Sequence, residues 1–233
     1  MPKVFGWEHF TYLFVVIFLM VLGFIWIQKH IKTEEQIAKT IKVIGLMLFL
    51  AIVWNRVSVA YLRDGFQSIL PGTFCGATSL ALSISAMLFK KDHIVFHCLG
   101  FIGLLGGLLT LVYPDYIGQS SSIFYPMTIS GLVHHTVMVF LVLVMFQTEF
   151  LKPTLKKFYA LPFGLCVYMT YGIFLISVLG YHDAMYIYEP ILEGTPLNWI
   201  VLGLIYLPLH FIFLGAWGIL SNRKLSILQR KSS

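Results

Sequence analysis

Two adjacent histidines, His134 and His135, stand in the otherwise apolar run "GLVHHTVMVFLVLVMF". Imidazole is costly to bury without a hydrogen-bond partner, so the pair needs a specific reason. A cysteine in another apolar run, Cys75, supplies the other half of a nucleophile–base pair. The thiolate is the reactive form of cysteine, and a histidine acting as general acid and base would permit acyl transfer through a thioester. The spacing of these residues is not itself specific.

Four more polar residues are candidates for binding a substrate. They are His9 in "GWEHF", Asn55 and Arg56 in "VWNRVS", and Asp115 in "YPDYIG". Ionisable groups in membrane spans are expensive and are functional candidates by default. Asn55, Arg56 or the first amides of the helix that carries Cys75 would be able to hold an oxyanion. Two alternatives remain open: Arg56 snorkelling to headgroups along its own stem, and Asn55 bridging two helices.

The composition predicts an integral membrane protein. The chain has 233 residues, of which 58% are hydrophobic and 11% charged, and its mean hydropathy is +0.85. A soluble domain carries about 25% charged residues. The three cysteines all lie in apolar runs and do not indicate a disulfide framework. Zinc-protease, CxxC, GxSxG and P-loop patterns are missing, and no cofactor or metal site is expected.

Seven apolar runs are long enough to cross a bilayer, which requires about 20 mostly apolar residues. We therefore predict an all-α, multi-pass membrane protein of seven transmembrane helices that forms a single domain over residues 1–233. The predicted spans cover residues 10–28, 40–62, 70–89, 94–113, 123–147, 159–181 and 196–220.

The distribution of Lys and Arg predicts the orientation. The links after spans 1, 3 and 5, the first turn of span 2 and the C-terminal tail hold thirteen of these residues, whereas the N-terminus and the other links hold only Lys3 and Arg63. Short basic loops favour the cytoplasmic side, so we expect the N-terminus outside and the C-terminus in the cytoplasm. The net charge of +6 is then a topology signal with some affinity for anionic lipid, and nucleic acid is not an expected partner.

This orientation places the polar residues in the outer half of the membrane. At the rise of an α-helix, Cys75 lies about 8 Å, Arg56 about 9 Å and the paired histidines about 17 Å from the outer surface. A nucleophile and its base must approach to about 2.6–3.2 Å. A re-entrant "SILPG" segment would start span 3 below the surface and lower Cys75. We predict this dip, with the thiol near one imidazole in a cavity open to the outer leaflet.

Several short motifs resemble the YwaF family of seven-span bacterial membrane proteins. Its eukaryotic relatives include a cysteine-dependent acyltransferase that acts on ether phospholipids. The family pattern has a histidine leading into span 1, a leucine-proline-x-x-x-cysteine start to span 3, a proline–aspartate pair after span 4 and a histidine in span 5. The matching residues here are His9, "LPGTFC" with Cys75, Pro114–Asp115, and His134 or His135.

The resemblance implies that Cys75 is the acylated nucleophile and that one of the paired histidines is its partner. It also implies a membrane phospholipid or another acyl lipid as the substrate. His135 is preferred to His134 because the family-like run reads best as "HTVMVF". Bacterial members often have a histidine just before the cysteine, where this chain has Thr73–Phe74, and most of them have no assigned activity.

Three other functions fit parts of the sequence. A small transporter or channel would use the polar cluster to line an aqueous path, although the repeated halves typical of transporters are missing from the sequence. A membrane sensor is supported only by seven spans and an outside N-terminus, and fold-level likeness does not establish function. A haem or metal site using His134 or His135 lacks regular ligand spacing. No protein partner is predicted.

Overall fold

The computed structural model describes the backbone of residues 5–114 and 122–232, and side chains as far as Leu220 apart from those of Asp64 and Ser68. Asp115, one of the predicted substrate-binding residues, therefore lies outside the described residues. Over the described ranges the chain forms seven α-helices and no strand, which confirms the all-α prediction.

Each predicted apolar run overlaps one helix. The helices are α1 (Trp7–His30), α2 (Glu34–Val59), α3 (Phe74–Leu88), α4 (Ile94–Val112), α5 (Pro126–Gln147), α6 (Ala160–Ser177) and α7 (Trp199–Ser232). A π-helical turn, Ala60–Asp64, continues α2. Six of these helical segments are long and apolar enough to cross a membrane, and the chain is a multi-pass membrane protein.

The third predicted span is wrong in its length. Helix α3 has 15 residues, which corresponds to about 22 Å, whereas the hydrocarbon core of a bilayer is about 30 Å thick. The helix begins at Phe74 because Thr73 caps it: the Thr73 hydroxyl oxygen accepts from the Gly76 N–H at 3.2 Å. The residues from 70 to 73 therefore belong to a non-helical link.

Local capping also extends α2 beyond its apolar run. Thr33 accepts a hydrogen bond from the Gln36 amide, and the Gln36 side chain accepts from the Thr33 amide in return. This reciprocal capping box satisfies donors that a helix N-terminus otherwise leaves unpaired. The helix therefore begins at Glu34, before the first strongly apolar residues, and its start is decided by capping rather than hydropathy.

The chain divides into two compact units, Met1–Phe150 and Leu151–Ser233. In the first unit α2 and α4 each pack against both α3 and α5. In the second unit α6 and α7 are joined by a long link in which Met185 is fully buried and packs on Gly172 of α6. The single domain over residues 1–233 stays a prediction.

The first unit has two chemically different ends. At the upper end α1, α3 and α5 begin and α2 and α4 finish. At the lower end, Lys91 after α3 pairs with Glu34 at the start of α2 at 2.7 Å. The Asp92 N–H donates to the Phe150 carbonyl at 2.8 Å, and the Phe96 and Phe150 rings pack at 5.6 Å between centroids. The lower end is therefore closed by an ion pair, a link–helix hydrogen bond and aromatic packing.

Candidate functional site

Cys75 is the second residue of α3, and its half-buried thiol lies against α4. A Cβ added at Gly106 would come within 2.7 Å of the Cys75 Sγ. The glycine therefore provides the space that the sulfur occupies. The thiol is also hydrogen-bonded to the side chain of Thr110, one turn further along α4. These contacts place the thiol in the helix interface and away from a purely lipid-facing position.

The N-terminus of α3 creates a favourable site for negative charge. The first amides of an α-helix lack intrahelical acceptors, and the helix dipole is positive at this end. The Gly76 N–H donates to the Thr73 hydroxyl oxygen. The Cys75 amide lies one residue earlier in the same first turn. Negative charge on the sulfur would therefore be stabilised by the start of α3.

His134 points toward α3. Its Nδ1 lies 3.0 Å from the Ser79 hydroxyl oxygen, and the same hydroxyl is 3.2 Å from the Met138 sulfur. When the Ser79 proton is directed to Met138, His134 donates through Nδ1 and its Nε2 carries the lone pair. Ser79 follows Cys75 by one turn on the same face of α3. His134 therefore meets α3 only about 6 Å along the axis from the cysteine.

His135 has an oriented ring with an unused nitrogen. Its Nδ1–H donates to the Gly131 carbonyl at 2.7 Å, and this bond fixes the tautomer with the lone pair on Nε2. That Nε2 is buried and has no hydrogen-bond partner among the described residues. The centroids of the His134 and His135 rings are 4.0 Å apart. Of the two imidazoles, His135 therefore has the better defined basic nitrogen.

The backbone of His135 faces α4 beside Gly106, the glycine that the Cys75 thiol contacts. A Cβ added at Gly107 would lie 3.5 Å from the His135 carbonyl oxygen, and the preceding residue, Gly106, is the one that contacts Cys75. Side chains on a helix lean toward its N-terminus, which for α5 is the upper end. The structure thus brings Cys75, His134 and His135 to the interface of α3, α4 and α5 at the upper end.

Asn55 and Arg56 hold the surroundings of the site together. The Asn55 Nδ2 donates to the Ser130 hydroxyl at 3.1 Å and to the Met127 carbonyl at 3.4 Å. It therefore bridges α2 and α5. The Arg56 Nε donates to the Ile69 carbonyl at 3.2 Å, and the guanidinium is within electrostatic reach of His134. Arg56 is thus tied to the link before α3, and a substrate role for either residue stays a prediction.

His9 joins the start of α1 to the end of α4. Its Nδ1 accepts from the Phe5 N–H at 3.2 Å, and its Nε2–H donates to the Leu111 carbonyl at 2.8 Å. The side chain is buried, with 2% of its surface exposed. Both ring nitrogens are engaged by backbone groups, which gives His9 a clear structural role. Its predicted contact with substrate is not needed to explain its burial.

The link before α3 is held by protein contacts. Pro71 is buried, and its Cβ is 2.8 Å from the position of a Cβ added at Gly76. The Ile69 carbonyl accepts from Arg56. Non-helical backbone is tolerated at membrane depth only where protein or water satisfies its polar groups. These contacts, with the short α3, support the predicted dip of the link, which stays a prediction.

A comparison with known protein families identifies the family of this chain. The family profile described as the TMEM164 family matches residues 4–221. The chain belongs to the TMEM164 family. No curated protein sequence and no solved structure matches it at a significant level. In this TMEM164-family protein the matched range includes Cys75, both paired histidines, Arg56 and all of the first unit's helices from α1 to α5.

Two residues of this candidate site were not predicted from the sequence. Thr110 contacts the thiol, and Ser79 orients His134. Serine and threonine are common in apolar helices, where they usually bond a carbonyl one turn earlier, so neither residue type is a signal. The glycines at 103, 106 and 107 were the available clue, since they mark the face of α4 that neighbours approach closely.

In the part of the chain that the structure describes, no three His, Cys, Asp or Glu side chains gather closely enough to hold a metal ion. The side chains that the candidate site offers for chemistry are the thiol, the two imidazoles and the polar groups that hold them.

Proposed function

We propose that this TMEM164-family protein transfers acyl groups between membrane lipids, with Cys75 as the nucleophile and His135 as the general base. One observation carries the proposal. A half-buried thiol lies at the positive start of α3, in the same helix interface as an imidazole whose Nε2 is oriented and unused. The motif resemblance to the YwaF family and its acyltransferase relatives supports the same chemistry and remains part of the proposal.

In the first half-reaction the acyl group is transferred from a phospholipid to the Cys75 sulfur. His135 Nε2 takes the thiol proton, and the sulfur attacks the ester carbonyl carbon of a phospholipid. The tetrahedral oxyanion lies near the Cys75 amide at the start of α3, where the helix dipole favours negative charge. The bond from the carbonyl carbon to the glycerol oxygen then breaks. That oxygen takes the proton from the imidazolium and leaves as a lysophospholipid, while the acyl group stays on the sulfur as a thioester.

The second half-reaction reverses these steps with a different lipid. The hydroxyl of an acceptor lipid attacks the thioester carbon, and His135 takes its proton. The carbon–sulfur bond breaks, a new ester is released, and the thiolate recovers the proton from the imidazolium. No redox partner or cofactor is required for this balance.

The charge distribution favours a phospholipid as the acyl donor over a nucleotide-linked thioester. A nucleotide-linked donor carries several phosphates and needs several cations. In the described part of the first unit, the upper end offers the two arginines Arg56 and Arg63, whereas the lysines of the links between α1 and α2 and between α3 and α4 lie at the lower end. A single lipid phosphate is matched by Arg56, which is half-buried beside the site.

The orientation of the protein decides which leaflet supplies the lipid. We propose the N-terminus outside and the C-terminus in the cytoplasm, because basic links favour the cytoplasmic side. The upper end, and the site with it, would then open to the outer leaflet.

The decisive experiment looks for the covalent intermediate. Purified full-length protein in nanodiscs containing a phospholipid with an isotope-labelled acyl chain is analysed by intact-mass and peptide mass spectrometry. We expect a labelled acyl adduct on Cys75 in the wild-type protein, and neither adduct nor lipid turnover in Cys75→Ala. Cys98→Ala, which removes a different buried thiol of α4, is the matched control and should retain both. Undiminished turnover in Cys75→Ala would refute the proposal.

A further inference from the structure

We infer that Thr110 is a catalytic residue whose hydroxyl accepts from the Cys75 thiol at rest and turns to donate to the sulfur when the proton leaves. Its part in turnover rests on the proposed function. The contact with the thiol does not, because it concerns only the resting geometry of Cys75.

The hydrogen bonds around Thr110 fix the direction of the resting contact. Thr110 is fully buried, and its hydroxyl donates to the Gly106 carbonyl at 2.9 Å. The same side chain is hydrogen-bonded to Cys75. A hydroxyl has one proton and two lone pairs. With its proton on Gly106, the Thr110 oxygen can only accept, so the Cys75 S–H is the donor.

Gly106 holds the sulfur and the hydroxyl together. Its α-carbon faces Sγ so closely that an added Cβ would come within 2.7 Å, and its carbonyl receives the Thr110 hydroxyl. The sulfur therefore cannot move toward α4, and the hydroxyl remains within reach of it. This packing keeps the pair in contact when the charge of the thiol changes.

Deprotonation reverses the contact. A thiolate has no proton to donate, and oxygen lone pairs facing it would repel it. Rotation of the Thr110 hydroxyl aims its proton at the sulfur and releases the Gly106 carbonyl. That carbonyl remains satisfied, because in the α4 ladder it also accepts from the Thr110 N–H. The switch therefore gains a hydrogen bond to a charged group without leaving a buried acceptor unpaired.

The neighbouring imidazoles offer the sulfur no donor at rest. His135 directs its Nδ1–H to the Gly131 carbonyl, and the Nδ1 of His134 is paired with Ser79. In the tautomers these bonds favour, both Nε2 atoms are acceptors. In the proposed reaction His135 Nε2 becomes a donor only by taking the thiol proton, and the Thr110 hydroxyl is the donor already in contact with the sulfur.

Three variants test the inference in purified full-length protein. Thr110→Val keeps the shape and removes the hydroxyl, whereas Thr110→Ser restores it. Thr170→Val is the matched control, because Thr170 makes the same bond to a carbonyl one turn earlier, that of Cys166, in the second unit. The rate of Cys75 alkylation by iodoacetamide is followed against pH by peptide mass spectrometry, and acyl-adduct formation is timed with labelled phospholipid.

We expect half-maximal alkylation of Thr110→Val at a higher pH than in wild type, and adduct formation slower by about tenfold, as loss of a hydrogen bond to a charged group implies. Thr110→Ser should remain close to wild type and Thr170→Val should match it. An alkylation profile of Thr110→Val that coincides with the wild-type profile would overturn the inference.

A second measurement does not depend on whether the Thr110 variants fold. The infrared difference spectrum between wild type and Cys75→Ala isolates the S–H stretching band of Cys75. We expect this band at a lower frequency than that of a thiol without an acceptor, and a band at the free-thiol frequency would contradict the inference. Neither thiol readout requires lipid turnover. A lowered band with no acyl adduct would reject only the proposed function, and normal adduct formation with a free-thiol band would reject only the role of Thr110.

Discussion

The two adjacent histidines contact different helices. Successive residues on an α-helix point about 100° apart, and here His134 meets Ser79 of α3 while the backbone of His135 lies against α4. The 4.0 Å separation of their ring centroids means that a proton on one ring strongly disfavours a proton on the other. In the proposed mechanism, therefore, only one of the two rings carries a proton as imidazolium at a time.

We predict that His135→Gln slows acyl-adduct formation by about 100-fold or more, the usual effect of losing a general base. His134→Gln should slow it by about tenfold, because the change removes the ring that packs on His135 and leaves its unused nitrogen in place. Time-resolved intact-mass spectrometry with labelled phospholipid measures both rates. His93→Gln, at the start of α4, should behave as wild type. A larger loss in His134→Gln would transfer the role of base to His134.

Arg56 is expected to bind the lipid phosphate. We predict that Arg56→Leu folds but requires much more lipid for half-maximal turnover, because the phosphate partner is lost and the Ile69 carbonyl loses its donor. Turnover is measured against lipid concentration in mixed micelles, with thermal unfolding as the check on folding. Arg63→Leu, in the exposed π-helical turn after α2, is the charge-matched control. Unchanged turnover in Arg56→Leu would leave snorkelling and the bond to the Ile69 carbonyl as the explanations for this arginine.

The sequence predicts which residue types matter more readily than how they are paired. Cys75, His134 and His135 are conspicuous because thiol and imidazole groups in apolar helices need partners. Thr110 and Ser79 are not conspicuous, because their importance comes from the rotation and depth of one helix against another. That register depends on side-chain packing across the whole interface, which no local pattern in a single sequence specifies.

At the scale of helices, the glycines of α4 set the distances in the site. Gly103, Gly106 and Gly107 each face a neighbouring helix, and an added Cβ would lie 3.3 Å, 2.7 Å and 2.5 Å from the nearest atom respectively. Small residues let helices in membranes approach closely. The thiol can therefore lie between α3 and α4 only because the glycines of α4 present no side chain at this height.

The close approach of Gly106 to Cys75 gives a prediction, and Gly103 provides its control. Gly106→Ala should preserve the fold but slow adduct formation by about 100-fold, since a misplacement of about 1 Å is enough to cost that much. The added methyl group must displace the Cys75 sulfur. Gly103→Ala, one turn away, meets the side chains of Met138 and Thr78 no closer than 3.3 Å and does not face Cys75, so it should retain most of the activity. Size-exclusion profiles and thermal unfolding would establish that both variants fold.

Wild-type adduct formation in Gly106→Ala would show that the reactive sulfur does not occupy the position described here. Loss of folding in that variant alone would instead assign Gly106 to helix packing. The alkylation rate of Cys75 separates these outcomes, because it reports the thiol environment directly and does not depend on lipid binding.

Hydropathy located the helices, but capping decided where they begin. Within the described ranges the seven apolar runs form seven helices, because the cost of exposing unpaired backbone to lipid favours a helix in each run. The starts of α2 and α3 differ from the runs because Thr33 and Thr73 cap them. The short α3 has the greatest consequence, because its late start places Cys75 in the first turn of the helix, one turn before Ser79, which binds His134.

At the scale of the molecule, the first unit is asymmetric in charge and in packing. The upper end holds the thiol, the imidazoles and Arg56. The lower end holds the Lys91–Glu34 ion pair and a buried His97, whose Nε2 is 2.8 Å from the Asp92 carboxylate. A lipid would therefore reach the thiol from the upper end, since the lower end is closed by these contacts. Which leaflet supplies that lipid depends on the orientation in the membrane.

We predict the upper end outside and the C-terminus in the cytoplasm, because basic residues of short loops are retained on the cytoplasmic side. A reporter enzyme that is active only outside the cytoplasm should be silent when fused after Ser233, and a fluorescent protein that matures only in the cytoplasm should be bright there. Fusions truncated after Pro114 test the upper end and should give the opposite result. Fusions truncated after Lys91 test the lower end and should agree with the C-terminal ones.

One more fusion, truncated after Gln67 in the link before α3, tests whether α3 crosses the membrane despite its 15 residues. If the link dips and α3 completes the crossing, the fusions after Gln67 and after Lys91 report opposite sides. If α3 instead returned to the side from which it entered, these two fusions would report the same side and the seven-helix crossing pattern would be lost. An active external reporter at the C-terminus would place the site on the cytoplasmic leaflet, and the lipid donor would then have to be sought there.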